Sequence, residues 1–172
     1  MGFRQAGKTL DPGIGLVDQQ SLSVEASRLA FVALRDRAYR LLARREYSRF
    51  ELRQKLQAHD SHDQIERVLE QLADEGSQSD LRFAEQLAST RINSGKGPRL
   101  LEQELGQHRL DNDIVQDIMD RYRNDWGNRA ESVRRKKFGA SEPSDYREWT
   151  RQARFLQQRG FTSEQIGTFR GD

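Results

Sequence analysis

Gly2-Phe3-Arg4-Gln5-Ala6-Gly7-Lys8-Thr9 fits the pattern G-x-x-x-x-G-K-T. In a phosphate-binding loop of that form the backbone amides cradle phosphates, the lysine meets the terminal phosphates and the threonine holds magnesium. The chemistry needs a buried strand before the loop and a helix after it. The match starts at residue 2, and Leu10-Asp11-Pro12-Gly13-Ile14-Gly15 reads as a poor helix start. It is therefore taken as coincidence. His59-x-x-His62, flanked by Asp60 and Asp63, has metal-ligand spacing. With only His108 in addition and no cysteine, a polar turn between helices is the better reading, and no metal or cofactor is expected. Glu70/Asp74 and Asp117/Asp120 fall on polar helix faces, not in the desolvated convergence that acid–base catalysis needs. No enzyme is expected.

Basic clusters carry more information. Arg40, Arg44, Arg45, Arg49 and Arg53 run through one helix, a turn and the next helix. Arg134-Arg135-Lys136-Lys137 is a continuous basic run, followed by Arg147, Arg151, Arg154 and Arg159. Lys96 and Arg99 flank a glycine-rich turn. Such groups suit phosphate backbones and acidic protein surfaces alike. The net charge of +2 hides blocks: +6 over residues 28–56, −6 over 57–90, +2 over 91–110, −3 over 111–131 and +4 over 132–172. Twenty-four of the 29 basic residues are arginine, whose planar fork favours carboxylate and phosphate contacts.

The elements that must position these groups are short helices. Only 38 of 172 residues are Leu, Ile, Val or Phe, too few for one thick core and close to the compositional edge of disorder. No apolar run approaches the ~20 residues of a membrane span, and the first residues lack the apolar centre of a signal peptide. A cytoplasmic location is expected. Residues 1–24, with four glycines and no periodicity, read as a flexible tail. From Phe31 the period is helical: Phe31, Leu34, Ala38, Leu41 and Leu42 share a face. Ser48/Glu51 and Ser61/Gln64 are capping boxes, and Ile65, Val68, Leu69 and Leu72 form a stripe that ends near Gly76.

The pattern then repeats. Ser79 or Asp80 opens a helix with Phe83 and Leu87. Gly97-Pro98 opens one with Leu101 and Leu105, and Asp111 or Asn112 opens one with Val115, Ile118 and Tyr122. A third round holds Ala130 and Val133, then an Asp145/Glu148 box with Trp149, Ala153 and Leu156. A Thr162/Gln165 box follows, with Ile166 and Phe169. Leu56, Leu105 and Leu156 are about 50 residues apart. Leu105, Leu110, Val115 and Ile118 match Leu156, Phe161, Ile166 and Phe169 at equal offsets. The expected fold is all-α: an elongated, curved array of three tandem three-helix repeats over residues 25–76, 77–123 and 124–172, with several thin cores in a row.

Ala38 to Leu56, an alanine-leucine helix leading through Ser48-Arg49-Phe50-Glu51-Leu52, resembles the opening of the RecX regulatory family. Asp80-Leu81-Arg82-Phe83-Ala84 resembles that family's "Asp-x-x-Phe-Ala", and Arg91 to Leu101 resembles its "Arg…Gly-x-Gly" loop, continued by Glu104-Leu105. The likeness spans roughly residues 31–170. One departure is Arg109, where the family usually ends a helix with glycine. The resemblance implies a non-enzymatic bacterial modulator that binds the RecA recombinase filament. It would lower ATP hydrolysis and strand exchange and limit filament growth, within recombination, DNA repair and the SOS response. A monomer is expected, with DNA contact weak and sequence-independent. The contact residues expected from charge clustering are Arg40, Arg44, Arg45, Arg49, Arg53, Lys96, Arg99, Arg134, Arg135, Lys136, Lys137, Arg151 and Arg154. The alternative is a helix-turn-helix-like DNA-binding regulator acting without RecA.

Overall fold

The structure, a computed structural model, describes residues 12–167, with side chains from residue 18. Its helices are α1 (Pro12–Leu42), α2 (Arg49–Leu56), α3 (His62–Asp74), α4 (Asp80–Asn93), α5 (Pro98–Gln107), α6 (Asn112–Arg121), α7 (Trp126–Phe138), α8 (Tyr146–Gln158) and α9 (Ser163–Gly167). One 3-10 turn, Arg123–Asp125, precedes α7. No strand occurs among the described residues. The helices pack in threes, α1–α3, α4–α6 and α7–α9, termed units 1, 2 and 3.

Local chemistry sets most boundaries. Ser48 Oγ accepts from Glu51 N while Glu51 reaches back to Ser48 N, a complete capping box. Thr162 and Gln165 form another. Ser79 caps α4, and Asp145 caps α8 by accepting from Glu148 N at 2.7 Å. The box expected at Ser61/Gln64 is absent. Ser61 makes no side-chain cap bond, its backbone N donates to Asp60 Oδ1 at 2.6 Å, and Gln64 Nε2 turns to Ser27 Oγ at 2.7 Å and ties α3 to α1.

The expected tail is corrected over residues 12–24, where α1 begins at Pro12, a residue that suits a helix start. The segment from Asp18 to Leu29 lies on the surface, with Leu22, Val24 and Leu29 exposed. No buried stripe marks it, and propagating a helix from its packed C-terminal half costs far less than nucleating one. Phe169 and the Gly2–Thr9 motif lie outside the described residues.

Among the described residues the buried apolar side chains form two clusters, so the several thin cores expected are partly merged. Unit 1 buries Leu34, Ala38, Leu52, Leu56, Ile65, Val68, Leu69 and Leu72 in a cluster of its own. Units 2 and 3 share one cluster, in which Phe83, Leu101, Leu105 and Ile118 continue into Trp126, Ala130, Leu156, Phe161 and Ile166.

The junctions differ accordingly. Between units 1 and 2 the contacts are polar. Buried Gln78 donates to Tyr47 O at 3.2 Å and to Asp80 Oδ1 at 2.8 Å. Asp80 Oδ1 also accepts from Arg49 N at 2.7 Å. The Arg109 guanidinium lies 4.6 Å from the Phe50 ring centre.

Between units 2 and 3, backbone meets backbone. Gly97 N donates to Arg159 O at 2.6 Å, and Arg99 N donates to Gly160 O at 3.1 Å. A Cβ on Gly97 would stand 2.5 Å from Gly160 C and Phe161 N. The Gly-x-Gly spacing therefore has a steric cause: no side chain fits where the two turns touch.

Arg109, the departure noted in the sequence, has φ +52. It keeps the left-handed backbone that Gly76 and Gly160 adopt at φ +69 and +89. For a residue with a Cβ this costs roughly 1–2 kcal/mol, and its stacking on Phe50 offsets part of that.

Three stability comparisons check these points. Gly97 has an ordinary φ of −87, so Gly97→Ala strains no backbone; it gives up some N-cap preference of α5 and chiefly tests the junction. It should lower unfolding free energy by about 3 kcal/mol. Gly106→Ala, inside α5 with open space around it, should raise it by about 0.5–1 kcal/mol. At Arg109 both Gly and Ala remove the Phe50 contact. Arg109→Gly should nonetheless be more stable than Arg109→Ala by about 1 kcal/mol, the backbone strain read alone.

Candidate partner-binding surface

The thirteen candidate cations divide into two groups. Those in the first are committed within the fold. Arg45 forks onto Glu51 at 3.0 and 3.2 Å and lies over Tyr47. Arg53 meets Glu66 at 2.5 and 2.8 Å, and Arg49 joins the same carboxylate at 3.0 Å, so that Glu66 clamps α2 to α3. Lys96 stands 3.4 Å from Glu104, which Arg91 also holds. Arg135 pairs with Glu131 at 2.5 Å. Arg151 reaches Glu148 at 3.3 Å and lies over Phe138.

Arg134 is the extreme case. Expected as a surface contact, it is the largest fully buried side chain among the described residues. It bonds Glu131 at 2.6 and 2.8 Å, Ser141 O at 3.0 Å and Gln152 Oε1 at 3.2 Å. These contacts pin the α7–α8 connection onto both helices, in keeping with the rule that a buried charge persists only when paired and hydrogen-bonded.

The second group faces solvent. Arg40, Arg44, Arg99, Lys136, Lys137 and Arg154 are exposed and form no ion pair among the described residues. Arg40 and Arg44 lie at the C-terminal end of α1, and Lys136 and Lys137 in the last turn of α7, where the helix dipole favours positive charge. Unit 3 brings cations together around two grooves. One groove, about 1040 Å³, is lined by Arg147, Arg151, Arg154, Phe138, Phe155 and exposed Tyr146, together with Asp145 and Glu148. A second, about 510 Å³, lies where α4 ends against α7 and α8 and includes Lys136, Lys137, Arg129 and Arg159. Arg129 was not singled out in the sequence; it stands alone between Asn128 and Ala130, outside any basic run. Arg159 was visible only as part of a charge series.

His59 and His62 are exposed, and among the described residues no three His, Asp or Glu side chains converge as a metal set would. The shifted carboxylates answer to arginines, except Glu75, lowered by the Tyr39 hydroxyl foremost, and Glu148, lowered by Ser144. Glu66 is held down to about 2 by the hydrogen bonds of Arg53 foremost and Arg49. Glu104 is lowered by Arg91, and Glu131 by Arg134 and Arg135. Among the described residues no helix is long and apolar enough to cross a membrane.

Because the folded pKa of Glu66 lies below its ordinary 4.5, its contribution is complete above about pH 4.5. It fades as pH falls toward 2. Urea melts of Glu66→Gln and the unaltered chain should differ by a constant amount at neutral pH. The difference should shrink through this acid window.

Comparison with known proteins completes the picture. Sequence profiles described as "RecX, first three-helix domain", "RecX, second three-helix domain" and "RecX, third three-helix domain" match residues 35–72, 79–119 and 128–169. The chain is 46% identical over 136 residues to a protein named "Regulatory protein RecX" from Halorhodospira halophila, covering 78% of this chain and 84% of that one. To its namesake from Pseudomonas entomophila it is 42% identical over 137 residues, 79% and 88% of the two chains. Among solved structures, RecX from Lactobacillus salivarius superposes with a TM-score of 0.70 at 21% identity, over 81% of this chain and 94% of that one. A second crystal structure of a regulatory protein RecX gives 0.74 at 18% identity, over 98% and 82%. At such identities the structures speak for the fold. The three profile matches and the close relatives place this chain in the RecX family of regulatory proteins.

Proposed function

We propose that this chain binds RecA recombinase filaments and restrains their ATP hydrolysis, strand exchange and growth, acting in the bacterial cytoplasm within recombination, repair and the SOS response. The observation that carries the reading is membership of the RecX family through all three units. A row of similar units suits a polymeric partner, because several modest contacts to successive protomers add through effective concentration. The solvent-facing cations, Arg40 and Arg44 in unit 1, Arg99 in unit 2, and Lys136, Lys137 and Arg154 in unit 3, are spread over all three units. They supply the charge complementarity such contacts use. The relatives are named regulatory proteins, which fits a binding role rather than a catalytic one.

A helix-turn-helix-like DNA regulator is the weaker reading. The arginines that would face phosphate in unit 1, Arg49 and Arg53, are both held by Glu66.

The test is to add the purified protein to RecA on single-stranded DNA and follow ATP hydrolysis. A fall at stoichiometric amounts is expected, and no change overturns the reading. The doubly reversed Arg40→Glu/Arg44→Glu should need about tenfold more protein for the same inhibition, with its helicity unchanged. Arg49→Glu should instead lose stability, because it breaks the clamp on Glu66.

A further inference from the structure

The cleft at the end of α4 differs from the other grooves in its chemistry. Four other grooves among the described residues each include at least one carboxylate in their lining: Glu148, Glu51, Glu102 or Asp60. This one has none. Its charged members are Arg129, Lys136, Lys137 and Arg159, and its apolar members are Ile92, Val133 and Phe155. Arg129 pairs with Asp125 at 2.6 Å. Lys136 and Lys137 are exposed and make no ion pair among the described residues. Arg159 has no carboxylate within ion-pair distance among the described residues. Its Nη1 donates to Ser94 O at 3.1 Å and to Gly95 O at 3.5 Å. Those bonds fix the guanidinium before any partner arrives, and a preorganised cation loses less freedom on binding. The volume, about 510 Å³, falls within the roughly 300–1,000 Å³ of ligand-sized clefts.

We propose that this cleft, formed by Lys136, Lys137, Arg159, Arg129, Val133 and Phe155, is a docking site for an acidic peptide segment that carries an apolar side chain. Lys136 and Lys137 by themselves would only complement the dipole at the end of α7. Arg159 comes from the turn after α8, in the same unit, and its bonds to Ser94 O and Gly95 O hold it at the junction with unit 2, so the charge converges from two elements. The apolar floor selects protein over nucleic acid. Phe155 is already engaged: the Arg159 guanidinium lies 4.8 Å over its ring centre, and the Phe138 ring stands 5.2 Å away at 86° to it. A base that stacked there, the usual anchor for single strands, would have to displace Arg159, while half-buried Val133 is open to an aliphatic side chain. The inference goes beyond the filament reading and holds whichever protein supplies the segment.

The experiment uses the full chain and a short fluorescein-labelled peptide of mixed aspartate and glutamate with one central leucine. The comparison probes are the same peptide with serine for leucine, and a labelled thymidine oligonucleotide. Fluorescence anisotropy should show saturable binding of the leucine peptide, weaker binding of the serine peptide, and about tenfold loss in Lys136→Glu/Lys137→Glu. Ser132→Glu, which sets a carboxylate on the cleft lining at an exposed position, should weaken binding similarly without disturbing the core. Absence of peptide binding, or equal affinity in both variants, overturns the proposal. So does oligonucleotide binding that the variants abolish while the peptide stays unbound, which would assign the cleft to nucleic acid. Because no RecA is present, failure here and failure of the filament reading are separate results.

Discussion

The contact of the Gly97 turn with the Gly160 turn fixes the organisation of this protein. Two backbone hydrogen bonds join the turns, Gly97 N to Arg159 O and Arg99 N to Gly160 O. The approach is too close for a Cβ on either side, since one on Gly160 would stand 2.7 Å from Leu100 Cγ. With the turns that close, α5 and α8 bring Leu101, Leu105, Leu156 and Phe161 into one apolar cluster. Units of about 50 residues are too small to bury much surface alone. Sharing a core lets units 2 and 3 stabilise each other, as neighbours do in repeat proteins.

Unit 1 solves the same problem differently. Its apolar cluster is separate, and Gln78, Asp80, Arg82 and Arg109 link it to unit 2 through hydrogen bonds, an ion pair with Glu46 and a stacked guanidinium. Such contacts are directional and individually modest. The molecule is thus a fused pair with a third unit attached by polar contacts. The cations of α7 and α8 are fixed relative to unit 2, while Arg40 and Arg44 belong to the separately cored unit.

Much of the helix pattern was legible because its signals are local. Ser48/Glu51 and Thr162/Gln165 cap their helices within four residues, and Gly76 and Gly160 end them with left-handed backbone. What misled was the long-range competition for side chains. Gln64 reads as half of a box until Ser27, 37 residues away, claims it. The basic run 134–137 reads as one surface until the α7–α8 connection brings Ser141 O and Gln152 to Arg134 and draws it inside. Arg49 and Arg53 read as contacts until α3 sets Glu66 between them. The Gly-x-Gly loop was visible as a pattern, but its cause lies 63 residues further on, in Gly160. Charge clustering picks out arginines and does not say which of them are already paired within the fold.

Native-state hydrogen exchange tests the two-body organisation most directly. The account predicts that the slowest amides of α4–α6 and α7–α9 share one opening free energy. It also predicts that those of α2 and α3 open separately and more easily. Opening of α7–α9 independently of α4–α6, or a single opening common to all three units, would contradict it.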